Sequence, residues 1–275
     1  MTILESAPHA IDFVEAGQGP TVILVHSSVS GNRQWRALMA TLSDRYHVIA
    51  PNLFGYGQTS PWPKVRSQTL DDQASLVQPF IDAGDGRVAL IGHSVGGSVA
   101  MQAALANPGK VATLVLLEPN PFLLLQHYGR TDAYREAVAL RDYVKEHGAR
   151  GEWEGVAAHF ADYWNGEGTW ASTSPDRRAA FAGAMPPNFH EWDAVLGAEM
   201  LSRKWSEITA RTLVLSAIGT KRPIAEIVDL LKGERPDWLY VEVQEGGHMA
   251  PLTRPDLVNP IVREFLDKEH RYHAT

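Results

Sequence analysis

The chain has 275 residues, which is enough for one large domain or for a domain with an insertion. Its net charge of −7, without a dense Lys/Arg stretch, argues against a nucleic-acid surface, and the lack of cysteine excludes disulfides and thiolate nucleophiles. We expect a cytoplasmic protein that is not bound to a membrane, because the start lacks signal-peptide character and the longest apolar stretch, 111–125, is interrupted at 118–121.

Short apolar runs rich in β-branched residues predict strands that are buried on both faces. These runs lie at residues 21–26, 46–50, 87–92, 112–117, 212–216 and 238–243, and a further strand is expected at an edge over 9–16. Apolar residues at helical spacing predict helices at residues 32–43, 68–83, 95–106 and 254–268. The alternation of strands and helices predicts an α/β fold with a mostly parallel central sheet flanked by helices.

The middle of the chain has a different composition. Residues 121–207 contain no convincing strand and are rich in Ala, Arg, Glu and aromatic residues, which indicates several helices. We therefore predict an α/β core at 1–120 and 208–275 and a helical insertion at 121–207. Such an insertion would lie over the carboxyl ends of the strands, where α/β proteins bind ligands.

A Gly-x-Ser-x-Gly motif centred on Ser94 joins the predicted strand 87–92 to the predicted helix 95–106. A serine on a tight turn between a strand and a helix projects its hydroxyl above the sheet, and the glycines permit the turn. The backbone N–H of Val95 would then face a developing oxyanion from a helix N-terminus. The sequence therefore predicts that Ser94 is the nucleophile of a hydrolase.

The chain resembles the α/β-hydrolase fold superfamily over essentially its whole length, and the insertion resembles the helical cap of serine hydrolases in it. The motifs that carry the resemblance are His26-Ser27-Ser28, residues 51–60, the turn at Ser94, and Gly246-Gly247-His248. The resemblance implies a sheet of about eight strands. It also implies that the second oxyanion donor is the backbone N–H of Ser28, beside that of Val95.

Two positions depart from the pattern of the superfamily. Ser27 stands where the oxyanion loop usually has glycine, and Asn52 stands where aspartate is usual. Neither change removes a reacting group, because a backbone donor survives a change of side chain. Ser27 could nevertheless tighten or reshape the loop.

Eleven histidines are candidates for the general base, and His248 is the best placed. It follows the last predicted strand, and Gly246 and Gly247 allow a loop to carry the imidazole over the strand ends. A nucleophilic serine followed much later by the base histidine is the chain order expected of this fold. His26, at the end of a strand, is more consistent with a structural role through ring hydrogen bonds to the loop backbone.

The carboxylate that orients the base is missing from its usual place in this superfamily. The loop after the seventh strand carries Gly219 or Thr220 at the position where the resemblance implies aspartate. Some members supply the acid after the sixth strand instead, and this chain has Glu118 there. We predict Glu118 as the acid, with Glu226 and Asp229 as the alternatives.

Aromatic residues of the insertion are candidates for the wall of a substrate pocket. Trp164 and Trp170 flank a glycine-rich turn, and Phe122, Met249 and Ser27 could line the same pocket by position. The alternative for each tryptophan is the core of the insertion itself. A pocket of this kind would select a small-molecule substrate with an apolar or aromatic acyl group.

The predicted groups favour hydrolysis of a carboxylic ester or lactone through an acyl-enzyme on Ser94, without cofactor or metal. One alternative is a hydrolase that cleaves a carbon–carbon bond of a diketone with the same serine. Another is a weakly active homologue that binds a ligand, motivated by Ser27 and by the missing acid. The sequence is compatible with a homodimer.

Overall fold

A computed structural model describes residues 2–6, 9–63, 65–84 and 86–273. The strands are β1 (Thr2–Ser6), β2 (His9–Ala16), β3 (Thr21–Val25), β4 (His47–Pro51), β5 (Val88–His93), β6 (Val111–Leu117), β7 (Arg211–Ala217) and β8 (Leu239–Val243). They form one sheet in the order β1-β2-β4-β3-β5-β6-β7-β8. Only the pairs that involve β2 are antiparallel. The predicted fold class is thereby confirmed.

Helices lie between the strands from β3 onwards and after the last strand. They are α1 (Arg36–Leu42), α2 (Leu70–Ser75), α3 (Gln78–Ala83), α4 (Val95–Ala106), α5 (Leu123–His127), α6 (Thr131–Ala149), α7 (Trp153–Asn165), α8 (Thr169–Ser172), α9 (Pro175–Gly183), α10 (Asn188–Leu196), α11 (Glu199–Lys204), α12 (Arg222–Glu234), α13 (Ala250–Thr253) and α14 (Pro255–His273). Short 3₁₀ turns cover Asn32–Trp35, Trp205–Glu207 and Gly247–Met249. Within the described ranges, no helix is long and apolar enough to cross a bilayer.

The central strands are apolar at successive positions because both faces of the sheet are covered. In β3, Val22 and Leu24 belong to a core cluster that also contains residues of α1 and α14. Ile23 and Val25 belong to a second cluster, which contains residues of α4 and of the helices between β6 and β7. Successive side chains of the strand therefore point to opposite faces and contribute to two cores, one on each side of the sheet.

Helices α5 to α11 all lie in the connection between β6 and β7, and none of the described residues of this connection forms a strand. This agrees with the helical character predicted for 121–207. The exact domain boundaries stay a prediction. The connection leaves the sheet at the carboxyl end of β6, so its helices begin next to the ends of the neighbouring parallel strands.

Two local predictions were wrong. The strand over 9–16 is not at an edge, because β1 pairs with it along its outer side. The single helix expected over 68–83 is two helices, α2 and α3, with a break at residues 76–77. Pro79 lies in the first turn of α3, where its missing N–H is tolerated, whereas the interior of a continuous helix would lose a hydrogen bond there.

Candidate active site

Ser94 occupies the sharp turn between β5 and α4 with a positive φ of 55°. The turn depends on close backbone approaches that only glycine allows. A Cβ on Gly92 would collide with the carbonyl oxygen of Gly96, and a Cβ on Gly96 would collide with that of Val25. The two flanking glycines therefore let the turn pack against β3 while the serine is held in a strained conformation.

The three residues predicted as nucleophile, base and acid form one hydrogen-bonded chain. The Ser94 hydroxyl lies 3.0 Å from Nε2 of His248, and Nδ1 of His248 lies 3.1 Å from Oε2 of Glu118. The three residues are 5%, 4% and 0% exposed, respectively. If Nδ1–H donates to the carboxylate, Nε2 is free to accept the serine proton, which is the arrangement that nucleophilic catalysis requires.

Glu118 is held in place by donors from the β7 side of the sheet. It follows β6 with a positive φ of 50°. Its Oε1 accepts the backbone N–H of Ala217 at 2.7 Å, and the Thr220 hydroxyl donates to its Oε2. The position where the resemblance implies an acid thus supplies a donor to the predicted acid, Glu118.

The alternative acids lie elsewhere. Glu226 and Asp229 are both on α12, and Asp229 forms an ion pair with Arg130 at 2.8 Å. Of the three candidate carboxylates, Glu118 is the one that contacts His248.

The predicted oxyanion donors lie beside the nucleophile. Ser28 and Val95 line the same cavity as Ser94. Val95 is the first residue of α4, so its N–H has no acceptor within the helix. Ser27, the departure from glycine, is fixed by Gln34, whose Oε1 accepts the Ser27 backbone N–H at 2.9 Å and the Ser27 hydroxyl at 2.8 Å.

Gln34 also connects the predicted oxyanion loop to the loop of the predicted base. Its Nε2 lies 3.0 Å from Nδ1 of His93, and Nε2 of His93 lies 2.9 Å from the carbonyl oxygen of His248. Burial lowers the pKa of His93 to about 3, so the ring is neutral at pH 7. Because Gln34 Nε2 can only donate and the carbonyl can only accept, Nδ1 accepts and Nε2–H donates.

His26 has the structural role that the sequence indicates. Its Nδ1 lies 2.8 Å from the carbonyl oxygen of Ser27, and its Nε2 accepts the backbone N–H of Leu53 at 3.0 Å. Burial lowers its pKa to about 4. The neutral ring joins the oxyanion loop to the segment after β4.

Asn52 is explained by its neighbour Asp12. The amide Nδ2 of Asn52 donates to Oδ2 of Asp12 at 2.9 Å, and its Oδ1 accepts the backbone N–H of Asn32 at 2.7 Å. An aspartate at position 52 would place two carboxylates against each other at a buried site. The amide avoids this repulsion and satisfies both neighbours.

Residues 22–261 match the family model described as the alpha/beta hydrolase family. The chain belongs to the α/β-hydrolase family. It is 30% identical to Lipase LipV of Mycobacterium tuberculosis, over 90% of this chain and 94% of the relative. It is 33% identical to 2-hydroxy-6-oxo-6-(2'-aminophenyl)hexa-2,4-dienoic acid hydrolase of Metapseudomonas resinovorans, over 38% and 37% of the two chains. The structure of a thermophilic esterase from Thermogutta terrifontis shares the fold with a TM-score of 0.73 at 21% identity, over 98% and 100% of the chains.

The cavity of this α/β-hydrolase lies between Ser94 and the helices that connect β6 to β7. The empty space at this site measures about 570 Å³, its open mouth included. Its apolar part is lined by Val95, Phe160, Trp164, Phe181, Trp192, Val195 and Met249. Its polar part is lined by Ser27, Ser28, Ser30, Asn120, Asn165, Asn188 and Glu191.

Trp164 is the aromatic residue that contacts the predicted base directly. Its ring is stacked on the imidazole of His248, with centroids 4.1 Å apart and planes inclined by 27°. Trp164, Ser27 and Met249 line the cavity, as the sequence predicts. The helix that carries Trp164, α7, therefore forms one wall of the site of this α/β-hydrolase.

Two other pocket predictions were wrong. Phe122 is 1% exposed and lies behind the cavity wall, stacked on Trp192 with centroids 5.6 Å apart. Trp170 packs against Phe181 at 6.3 Å and lies under the guanidinium of Arg178. Neither ring lines the cavity, because the rotation of each helix and the turn before it decide which aromatic residue faces inwards.

Apart from Ser27 and Ser28, the polar lining of the cavity was not predicted from the sequence. Asn120 could have been found, since it follows Glu118 at the carboxyl end of a central strand. Asn188 and Glu191 lie three residues apart on α10 and are both buried. A polar pair at this spacing is typical of a solvated helix face, so no local signal indicated that it faces a cavity.

Proposed function

We propose that this α/β-hydrolase cleaves a carboxylic ester or lactone through an acyl-enzyme on Ser94, without a cofactor. The observation that carries the proposal is the hydrogen-bonded chain from the Ser94 hydroxyl through His248 to the buried Glu118. A serine that is activated by a base, which in turn is oriented by a carboxylate, can act as the nucleophile of acyl transfer. The name of the relative Lipase LipV, which the chain matches over most of its length, supports the ester.

In the first half of the reaction, Nε2 of His248 takes the proton of the Ser94 hydroxyl while Oγ attacks the substrate carbonyl carbon. The oxyanion of the tetrahedral intermediate accepts the backbone N–H groups of Val95 and Ser28. Glu118 stabilises the imidazolium that forms. The intermediate collapses, the bond from carbon to the leaving oxygen breaks, and the imidazolium gives its proton to the departing alcohol.

In the second half, His248 accepts a proton from water as the water oxygen attacks the acyl-enzyme. The second tetrahedral intermediate uses the same two N–H donors. Its collapse breaks the bond to Oγ of Ser94, and the proton returns to the serine. The products are one alcohol and one carboxylic acid, or one hydroxy acid from a lactone.

The nucleophile is tested with a fluorophosphonate probe, which phosphonylates an activated serine. We expect covalent labelling of the wild-type chain and of Ser75→Ala, a control on the exposed face of α2, but none of Ser94→Ala. Hydrolysis of p-nitrophenyl butyrate should disappear in the same variant. Labelling that persists in Ser94→Ala, or that is absent from the folded wild-type protein, contradicts the proposal.

A carbon–carbon hydrolase is the second candidate, favoured by the name of the relative from Metapseudomonas resinovorans. The same serine and base would then act on a diketone. Wild-type protein is assayed with one ester, one lactone and one diketone series, and kcat/KM is compared between them. A clear preference for the diketones would replace the ester assignment, and binding without turnover in all three would leave a ligand-binding homologue.

A further inference from the structure

Glu191 is a buried carboxyl in the wall of the cavity that contains Ser94. It lies in the first turn of α10 and is 2% exposed. Its Oε2 accepts the Ser28 hydroxyl at 2.6 Å and Nδ2 of Asn188 at 3.2 Å. The Tyr56 hydroxyl, which accepts the backbone N–H of Val29, also interacts with this carboxyl.

The second oxygen of the same carboxyl lies buried without a hydrogen-bond partner among the described residues. Leaving such an acceptor unsatisfied away from water is unfavourable. Burial also raises the pKa of Glu191, in line with this cost. The contacts of Oε2 hold the side chain in place, but they leave Oε1 unpaired.

The surroundings indicate what Oε1 is for. Glu191 shares the cavity with other polar residues, among them Ser30, Asn120 and Asn188, and with aromatic and aliphatic walls. Ser28 and Asn188 both direct donors at Glu191, so the carboxyl acts as an acceptor in this environment. The partner that it lacks is a further donor, and the cavity is where that donor can come from.

We propose that Oε1 of Glu191 binds a hydrogen-bond donor of the substrate, a hydroxyl or an amine, and thereby determines specificity. The inference rests on the proposed function and deepens it, because it predicts an ester or lactone with a polar substituent besides its apolar part. A buried polar group that is satisfied only by the right substrate discriminates strongly against an analogue that lacks the donor.

The test compares p-nitrophenyl butyrate with its derivatives that carry a hydroxyl or an amine at carbon 2 or carbon 3. For the wild-type protein, we expect kcat/KM for at least one derivative to exceed that for butyrate by about 10-fold or more. A preference for the amine indicates that the carboxyl binds as an anion, and a preference for the hydroxyl indicates a neutral donor. The inference is overturned if no derivative is preferred over butyrate.

Glu191→Gln is the diagnostic variant, since it preserves the shape of the side chain and replaces one acceptor oxygen by a donor. It should reduce the preference for the derivative to about twofold or less. The control Glu167→Gln, at an exposed position between α7 and α8, should keep the wild-type preference. If Glu191→Gln lowers kcat/KM for all esters by the same factor, Glu191 only positions Ser28 and the inference is wrong.

Binding provides a readout that does not depend on turnover. The same esters are titrated into Ser94→Ala by calorimetry, and the preferred derivative should bind about 10-fold more tightly than butyrate. The double variant Ser94→Ala/Glu191→Gln should lose this difference. Absence of hydrolysis with the binding preference intact would contradict the proposed function alone, whereas equal binding of all esters would contradict this inference.

Discussion

At the scale of single residues, the unusual feature of the candidate site is the position of its proposed acid. Glu118 receives donors from Ala217, Thr220 and His248, which together occupy both of its oxygens. Its positive φ turns the chain out of β6 at the point where these donors meet. Because Thr220 donates to Glu118, the loop after β7 contributes to the site without supplying a carboxylate.

Glu118→Gln should lower kcat for an ester by about a thousand- to ten-thousand-fold. A glutamine amide presents N–H groups where three donors already converge, so the His248 ring loses the acceptor that fixes its tautomer. The matched variant Glu226→Gln, on α12, should retain nearly wild-type kcat. Steady-state kinetics with a thermal melt of each variant checks this, and the reverse ranking of the two variants would refute the assignment of the acid.

The sequence could predict the roles of those residues that are marked by their immediate neighbours in the chain. Ser94 is indicated by glycines two residues away on either side, and His248 by the two glycines that precede it. Glu191 has no such context, because its burial depends on how α10 is rotated against the sheet. The rotation of a helix also decides which aromatic residue faces the cavity, and the sequence does not show this rotation. Of the two predicted tryptophans, Trp164 lines the cavity and Trp170 does not.

At the scale of elements, three loops at the carboxyl edge of the sheet are joined by one hydrogen-bonded path. It runs from Ser27 after β3 through Gln34 to His93 at the end of β5, and on to the backbone of His248 after β8. Each loop carries one group of the proposed reaction: oxyanion donor, nucleophile or base. The path therefore fixes the distances between groups that act together.

Gln34→Ala should lower kcat by about 10-fold with little change in KM, because it removes hydrogen bonds worth about 0.5–1.5 kcal/mol each from the path. Gln34 does not itself line the cavity and contacts the lining through Ser27, so we expect its loss to change the geometry of the site rather than substrate binding. Gln126→Ala, an exposed position on α5, is the control. A kcat equal to that of the control, or a loss confined to KM, would show that the path does not position the site.

At the scale of the whole molecule, the fold was predictable because the sheet is buried on both faces. Continuous apolar runs marked the central strands, and their alternation with helices fixed the parallel sheet. The outer strand β1 was missed, since Thr2–Ser6 lies at an edge and its only strongly apolar residues are the adjacent pair Ile3 and Leu4. The break at residues 76–77 was missed because helical periodicity continues through it, although Pro79, just after the break, has no N–H to continue the backbone hydrogen bonds of a single helix.

Two buried histidines couple the stability of the whole molecule to pH. The pKa of His26 is about 4 and that of His93 about 3 in the folded chain, against 6.5 for the unfolded chain. Between pH 6.5 and these values, the unfolded chain binds more protons than the folded one. The free energy of unfolding therefore falls as the pH is lowered through this window, by about 1.4 kcal/mol per pH unit for each histidine.

This dependence predicts the behaviour of His93→Gln. We expect the loss of unfolding free energy between pH 7.5 and pH 5 to be smaller in this variant than in the wild type by about 2 kcal/mol, since one of the two titrating rings is gone. His270→Gln, at an exposed position of α14, should keep the wild-type difference. Urea unfolding at the two pH values measures it. An unchanged pH difference in His93→Gln would mean that the ring takes up its proton over the same pH range in the folded and the unfolded chain, which contradicts the lowered pKa of His93.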